Sequence, residues 1–154
     1  MLIGIKQNNL ELLPVIRRYG CLFLCFANAS PLIFSGQRGC EALNKIWKTA
    51  EKKGCISGDL NGDGDYDDDG EAVVLNHEAL ANDLFALDVK YDGVHHKADE
   101  IIPSKVAVIF GRFVWRGGHF AQINESKEVV FDPLGKSNAV TNGKLDTMRW
   151  YYAN

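Results

Sequence analysis

Several things are missing from this chain of 154 residues, and each absence removes a class of function. There is no excess of positive charge: 17 Lys and Arg against 20 Asp and Glu give a net charge of −3. Non-specific nucleic-acid binding needs a basic footprint and is therefore excluded. The four cysteines, Cys21, Cys25, Cys40 and Cys55, contain no C-x-x-C pair and have no histidine at zinc-ligand spacing. They do not form the pattern of a disulfide framework, so a reducing compartment is expected. No apolar run approaches the roughly 20 residues needed to span a bilayer, and no membrane partner is expected. Internal repeats, low-complexity tracts and linkers are also missing, which leaves a single domain over 1–154. With 46% hydrophobic and 24% charged residues the chain has the composition of a soluble globular protein.

The most distinctive apolar stretch is Cys21-Leu22-Phe23-Leu24-Cys25-Phe26-Ala27, preceded by Arg17-Arg18-Tyr19-Gly20. Arginines, an apolar run and Ala27-Asn28-Ala29 imitate a secretory leader, but residues 1–16 already carry a structured pattern ahead of them. A cytoplasmic location is the resulting expectation. An apolar helix without a polar face belongs in the middle of a domain. Such a helix over Cys21–Ala29, stopped by Ser30-Pro31, places Cys21 at its N-terminal tip. There the macrodipole favours an anion and makes a thiol a better nucleophile. Cys25, one turn later, reads as core.

Residues 1–16 read as a lead-in with a turn at Asn8-Asn9. Cys40, Leu43, Ile46, Trp47 and Ala50 recur at helical spacing, with Gly54 as a cap, and Asn76 can cap a third helix facing Leu80, Leu84 and Phe85 inward. From Asp88 onward the pattern changes to strands over 105–110, 112–115, 119–124, 128–131 and 147–152. Helices followed by strands predict an α+β fold, with an N-terminal helical half packed on a C-terminal antiparallel sheet.

Gly117-Gly118-His119-Phe120 starts one of these strands, and Phe131-Asp132-Pro133-Leu134-Gly135 ends the next. A hairpin turning at Glu125-Ser126 brings His119 opposite Asp132, about 5 Å away on the same face. A carboxylate there can orient the imidazole, and a nucleophile, a base and an orienting group form a triad. Gly117-Gly118 would leave the histidine open to substrate. His77, His95 and His96 lack such context and read as surface residues.

A second motif lies in the acidic loop 59–71. Asp59, Asn61 and Asp63 followed by Gly64 alternate like the first half of an EF-hand calcium loop, with Asp65 offering a carbonyl and Asp67 acting through water. Gly70 occupies the twelfth position, where a bidentate acid is expected, and Glu71 comes one residue late. The loop resembles that of dockerin-type modules. A structural calcium ion held by Asp59, Asn61, Asp63, Asp65 and Glu71 is expected, against a solvated acidic turn.

The order of Gly20-Cys21 on an apolar helix, Gly117-Gly118-His119-Phe120 on a strand and Phe131-Asp132-Pro133-Leu134-Gly135 resembles the papain-like cysteine peptidase superfamily. More closely, it is similar to small bacterial and phage proteins related to the bacteriocin-processing cysteine peptidases. The resemblance implies a papain-like fold, with Cys21 as nucleophile, His119 as base and then acid, and Asp132 orienting the imidazole. It also implies a monomer hydrolysing a peptide or peptidoglycan amide, in the cytoplasm or released with a phage lysis system. The family's oxyanion glutamine, about six residues before the cysteine, is replaced by Val15; the nearest upstream glutamine is Gln7. That departure keeps two other readings open: a catalytically silent papain-like module, and a calcium-dependent interaction module in which Cys21 is core.

Overall fold

A computed structural model describes residues 1–57 and 73–154. It has a helical N-terminal half and an antiparallel sheet at its C-terminal end. Strand β1 (Leu2–Ile3) pairs in parallel with β2 (Phe34–Ser35). Between them lie α1 (Pro14–Tyr19) and α2 (Cys21–Ala29), and α3 (Gly36–Lys52) follows. Proline suits the first helical position because its missing N–H would have no partner there, and Pro14 starts α1 in a segment expected to be mere lead-in. Helix α2 has the expected bounds, with Leu22 through Ala27 all buried. Helix α3 buries Cys40, Leu43, Trp47 and Ala50 along one face, as the helical spacing predicts.

Asn76 caps the next helix by accepting from the Ala79 N–H at 3.0 Å. Only α4 (His77–Ala79) is α-helical; the chain then widens into a π-turn over Leu80–Leu84. Leu80 and Phe85 are buried and Leu84 is partly so.

The sheet contains β3 (Val89–Tyr91), β4 (His96–Lys97), β5 (Val106–Val114), β6 (Gly118–Ile123), β7 (Val129–Phe131) and β8 (Lys144–Ala153), with a short α5 (Asn138–Thr141) before the last strand. Its order is β3-β8-β5-β6-β7, and β4 also pairs with β8. The two strands expected over 105–115 are one, because β5 is paired along its length by β6 and β8. The weak β3, β4 and α5 were not anticipated.

Alternation along β5 and β8 sends their side chains to two cores. Phe110 and Tyr151 join the helices around Phe23, Phe26, Trp47 and Phe85. On the other side Ile109, Phe113, Met148 and Trp150 pack with Ala121, Ile123 and Ala139. Phe26 is central to the first core, with ring contacts to Phe110 at 4.9 Å and Tyr151 at 5.3 Å. Helix α2 is thus clamped directly against the sheet. Among the described residues no helix is long and apolar enough to cross a membrane.

Candidate active site

The corner between α1 and α2 determines where the nucleophile candidate stands. Gly20 ends α1 with its N–H donated to the Ile16 carbonyl at 2.8 Å. A Cβ at position 20 would lie 2.5 Å from Ile16 O and 2.7 Å from Ile16 Cγ2. Glycine is needed there for close approach, since its φ of −85° suits any residue. The tight corner makes Cys21 the first residue of α2, half-buried while the rest of that helix turn is sealed. All four cysteines are free. Burial raises the pKa of Cys25 well above the ordinary thiol range, and raises those of Cys40 and Cys55.

His119 and Asp132 meet as anticipated, but by a different register. Strand pairing matches Gln122 with Phe131 and Ile123 with Val129, with a bulge between the pairs. Asn124 organises the turn: its side-chain oxygen accepts from the N–H groups of Ser126 and Glu128. Neither pair is in the register that would set 119 directly opposite 132, and the bulge shifts it one residue further. Asp132 instead lies just beyond β7 and reaches back, its Oδ1 2.7 Å from His119 Nε2. Oδ1 also accepts the Leu134 N–H at 3.0 Å, and Oδ2 accepts the Ser137 N–H at 2.9 Å and Oγ–H at 2.7 Å. Ser137 is a residue the sequence reading missed; its value comes from an Asp-Pro turn folding back on itself. Its hydroxyl also accepts the Val140 N–H at the start of α5.

Cys21 lies close enough to the His119 ring to act on its charge. With Nε2 committed to Asp132, Nδ1 is the nitrogen left for the thiol. Burial disfavours charge on the ring, but the bond to Asp132 and the influence of Cys21 outweigh it and raise the His119 pKa to about 9. For Asp132, burial is likewise overcome by the bonds from His119, Ser137 and Leu134, which hold its carboxyl well below the usual range. At neutral pH the arrangement therefore favours an imidazolium held between a carboxylate and a sulfur.

Gln7 is folded back toward the same place. Its backbone N–H donates to Pro133 O at 2.7 Å, next to Asp132, and its side-chain Nε2 donates to Arg17 O at 3.1 Å. It is only 4% exposed, and its Oε1 has no hydrogen-bond partner among the described residues. Val15, at the family's glutamine position, is core.

Two clefts of about 370 Å³ each flank the Cys21–His119 pair. The first opens over Cys21 and is walled by Arg18, Tyr19, Trp47, Arg112 and Phe120. The second opens over His119 and is walled by Trp115, Arg116, Leu134 and Asn138, and Gly118 borders both. Gly118 also has a close neighbour of its own. The Arg112 guanidinium lies across it, so a Cβ there would be 2.5 Å from Nη2.

The remaining histidines are not all surface residues. His96 is buried against Trp150 (ring centroids 3.4 Å apart) and reaches Asp92 and Glu100 at 2.6 and 3.2 Å. His77 stacks on Tyr91 at 4.3 Å and shares a 2.7 Å hydrogen bond with the Tyr151 hydroxyl. Burial, with Arg149 and His95 nearby, lowers its pKa to about 4. Only His95 is exposed, as expected. Trp150, which covers His96, and Tyr91 and Tyr151, which hold His77, lie far away in sequence and did not show locally; the His96 carboxylate partners Asp92 and Glu100 are four residues away on either side and were a local signal the sequence reading passed over. The calcium candidates Asp59, Asn61, Asp63, Asp65 and Glu71 lie outside the described residues. Among the described residues no group of three or more His, Cys, Asp or Glu is arranged to hold a metal ion.

Residues 1–153 match the family described as "Protein of unknown function, DUF261", and the chain belongs to that family. No curated protein and no solved structure matches the chain.

Proposed function

We propose that this member of the family is a cysteine peptidase or amidase of papain-like type, working through Cys21, His119 and Asp132. The observation that carries the reading is the His119 ring set between the thiol at the start of a buried helix, whose influence it feels, and an Asp132 carboxylate fixed by four donors. A carboxylate so held keeps the imidazole in one orientation and stabilises its protonated form.

In this mechanism Cys21 gives its proton to His119, and its sulfur attacks the carbonyl carbon of an amide. The oxygen takes up the charge, which the Cys21 backbone N–H and the second N–H of the Gln7 amide help to hold. His119 then protonates the departing nitrogen, the C–N bond breaks, and a thioester to Cys21 remains. A water molecule gives a proton to His119 as its oxygen attacks the thioester. The acid is released and the thiol regains its proton. Peptides or peptidoglycan stem peptides are the proposed substrates, met by a monomer in the cytoplasm or after release with a phage lysis system. Calcium in the 59–71 loop is proposed as a structural ion with no step in the chemistry.

The alternative, a silent binding module, has one observation in its favour: Gln7 already donates to Arg17 O and is buried. Iodoacetamide labelling of each cysteine separates the two. The hydrolase reading expects Cys21 to react far faster than Cys25, Cys40 and Cys55, with the advantage lost in His119→Ala. Slow labelling of Cys21, equal in both proteins, would sink it.

A further inference from the structure

The cleft over Cys21 is apolar along most of its wall but carries two cations, Arg18 and Arg112, and none of its described wall residues is acidic. Arg112 projects from the middle of β5 and crosses Gly118, immediately before His119. Its Nη1 donates to Asp146 Oδ2 at 3.0 Å, and Asp146 is half exposed. Among the described residues that is the one hydrogen bond the Arg112 side chain makes, and its Nη2 and Nε donors suit the guanidinium fork for a second carboxylate. A third cation stands behind the wall. Arg149 is buried, lies 5.3 Å from the Phe120 ring centroid and is close enough to Arg112 to feel its charge.

The chemistry gives this cleft a direction. The leaving nitrogen must depart toward the imidazolium that protonates it. The amine half of the substrate therefore lies over His119, toward Trp115 and Leu134. The acyl half extends over Cys21, toward Arg18 and Arg112.

We infer that the cleft over Cys21 is an anion-recognising subsite, which takes a carboxylate borne by the acyl half of the substrate and grips it with Arg112 and Arg18. The direction assigned to the substrate rests on the peptidase reading; the anion preference at Cys21 does not. Tyr19, Trp47 and Phe120 supply the apolar floor for the stem of such a side chain, as of glutamate, and Gly118 is the residue that lets Arg112 reach the site. The inference therefore narrows the substrate class from peptides in general to acidic ones.

The test compares two alkylating reagents of nearly equal size, anionic iodoacetate and neutral iodoacetamide, at Cys21 of the full chain. Taking the ratio of their rates cancels changes in the reactivity of the thiol itself. Arg112→Gln and Arg18→Gln are each expected to lower the iodoacetate-to-iodoacetamide ratio about threefold or more at low salt. Asp146→Asn, which releases Arg112, is expected to raise it. If Arg112→Gln does not fold, Arg18→Gln and Asp146→Asn carry the comparison alone. A matched pair of peptides, with Glu or Gln just before the cleaved bond, supplies the second arm. The Glu peptide should be cut at least about tenfold faster in kcat/KM, worth about 1.4 kcal/mol, and the preference should vanish in Arg112→Gln. A rate ratio indifferent to both arginines, or a Glu preference found only after the cleaved bond, overturns the inference even where peptides are cut. A ratio that depends on Arg112 in a protein that cuts no peptide would support the anion site and refute the peptidase reading instead.

Discussion

Replacing Gly20 by alanine adds one methyl group at the corner that positions Cys21, and two opposing effects decide the outcome. Alanine restricts the unfolded chain, which stabilises a compatible site by about 0.4–1 kcal/mol. The φ of −85° at residue 20 is compatible. The space is not: the new carbon would meet Ile16 O at 2.5 Å and Ile16 Cγ2 at 2.7 Å. Ile16 is 0% exposed, and the nearer of those atoms is main chain, so neither can swing aside. Overpacking of this kind costs about 1–3 kcal/mol. The net expectation is a loss of about 1–2 kcal/mol, or about 2–8 °C in Tm for a domain of this size. Relief of the clash must also part α1 from α2, moving Cys21 away from His119. Urea unfolding of Gly20→Ala measures the first effect and the iodoacetamide rate at Cys21 the second. A variant as stable as the parent, with Cys21 labelled at the parental rate, would refute the close-approach argument.

Three further outcomes are expected. Ser137→Ala removes a buried hydroxyl 2.7 Å from the Asp132 carboxylate. It should cost about 2 kcal/mol in urea unfolding, within the 1.5–3 range for bonds to charged groups, and slow Cys21 labelling. Ser137→Thr, which keeps the hydroxyl, should recover most of both, and failure to recover would argue against a positioning role. The pKa of His119 rises from 6.5 to about 9 on folding, so its contribution to stability is full below about pH 6.5 and disappears as pH rises through 9. The difference in unfolding free energy between the parent and His119→Gln should therefore shrink between pH 6 and 10; a gap that widens would show the opposite linkage. Finally, millimolar calcium should raise Tm and Asp63→Asn should abolish the rise. No shift on adding calcium or a chelator would leave the 59–71 loop as a solvated turn.

The parts of this molecule that were legible in its sequence are those governed by local pattern. Helix α2 could be bounded from an apolar run closed by Ser30-Pro31, and the buried face of α3 could be read from the spacing of Cys40, Leu43, Trp47 and Ala50, though the helix begins at Gly36, ahead of the Cys40 where that spacing starts. His119 and Asp132 could be grouped because a hairpin joins them, yet their register could not be read. The bulge between Gln122 and Ile123 depends on how Asn124 folds the turn, not on alternation of side chains. Contacts across the sheet were opaque for a different reason. The stacking of His96 on Trp150 and the passage of Arg112 over Gly118 depend on strand neighbours that sequence distance does not disclose. Nor did composition mark the weak elements: β3 and β4 are three and two residues long and exist because β8 offers them a partner.

That dependence on β8 has a consequence for the protein's birth. β8 follows every other strand in the chain, but it sits between β3 and β5, and β5 in turn holds the β6 strand that carries His119. While the ribosome is still making it, the nascent chain already contains Cys21 and its helix, but β5 has an open edge and the histidine strand lacks its support. Non-local pairings of this sort form slowly and late. The chain thus carries a built-in delay: Cys21 and His119 take up their final places only when the last strand has settled into the middle of the sheet.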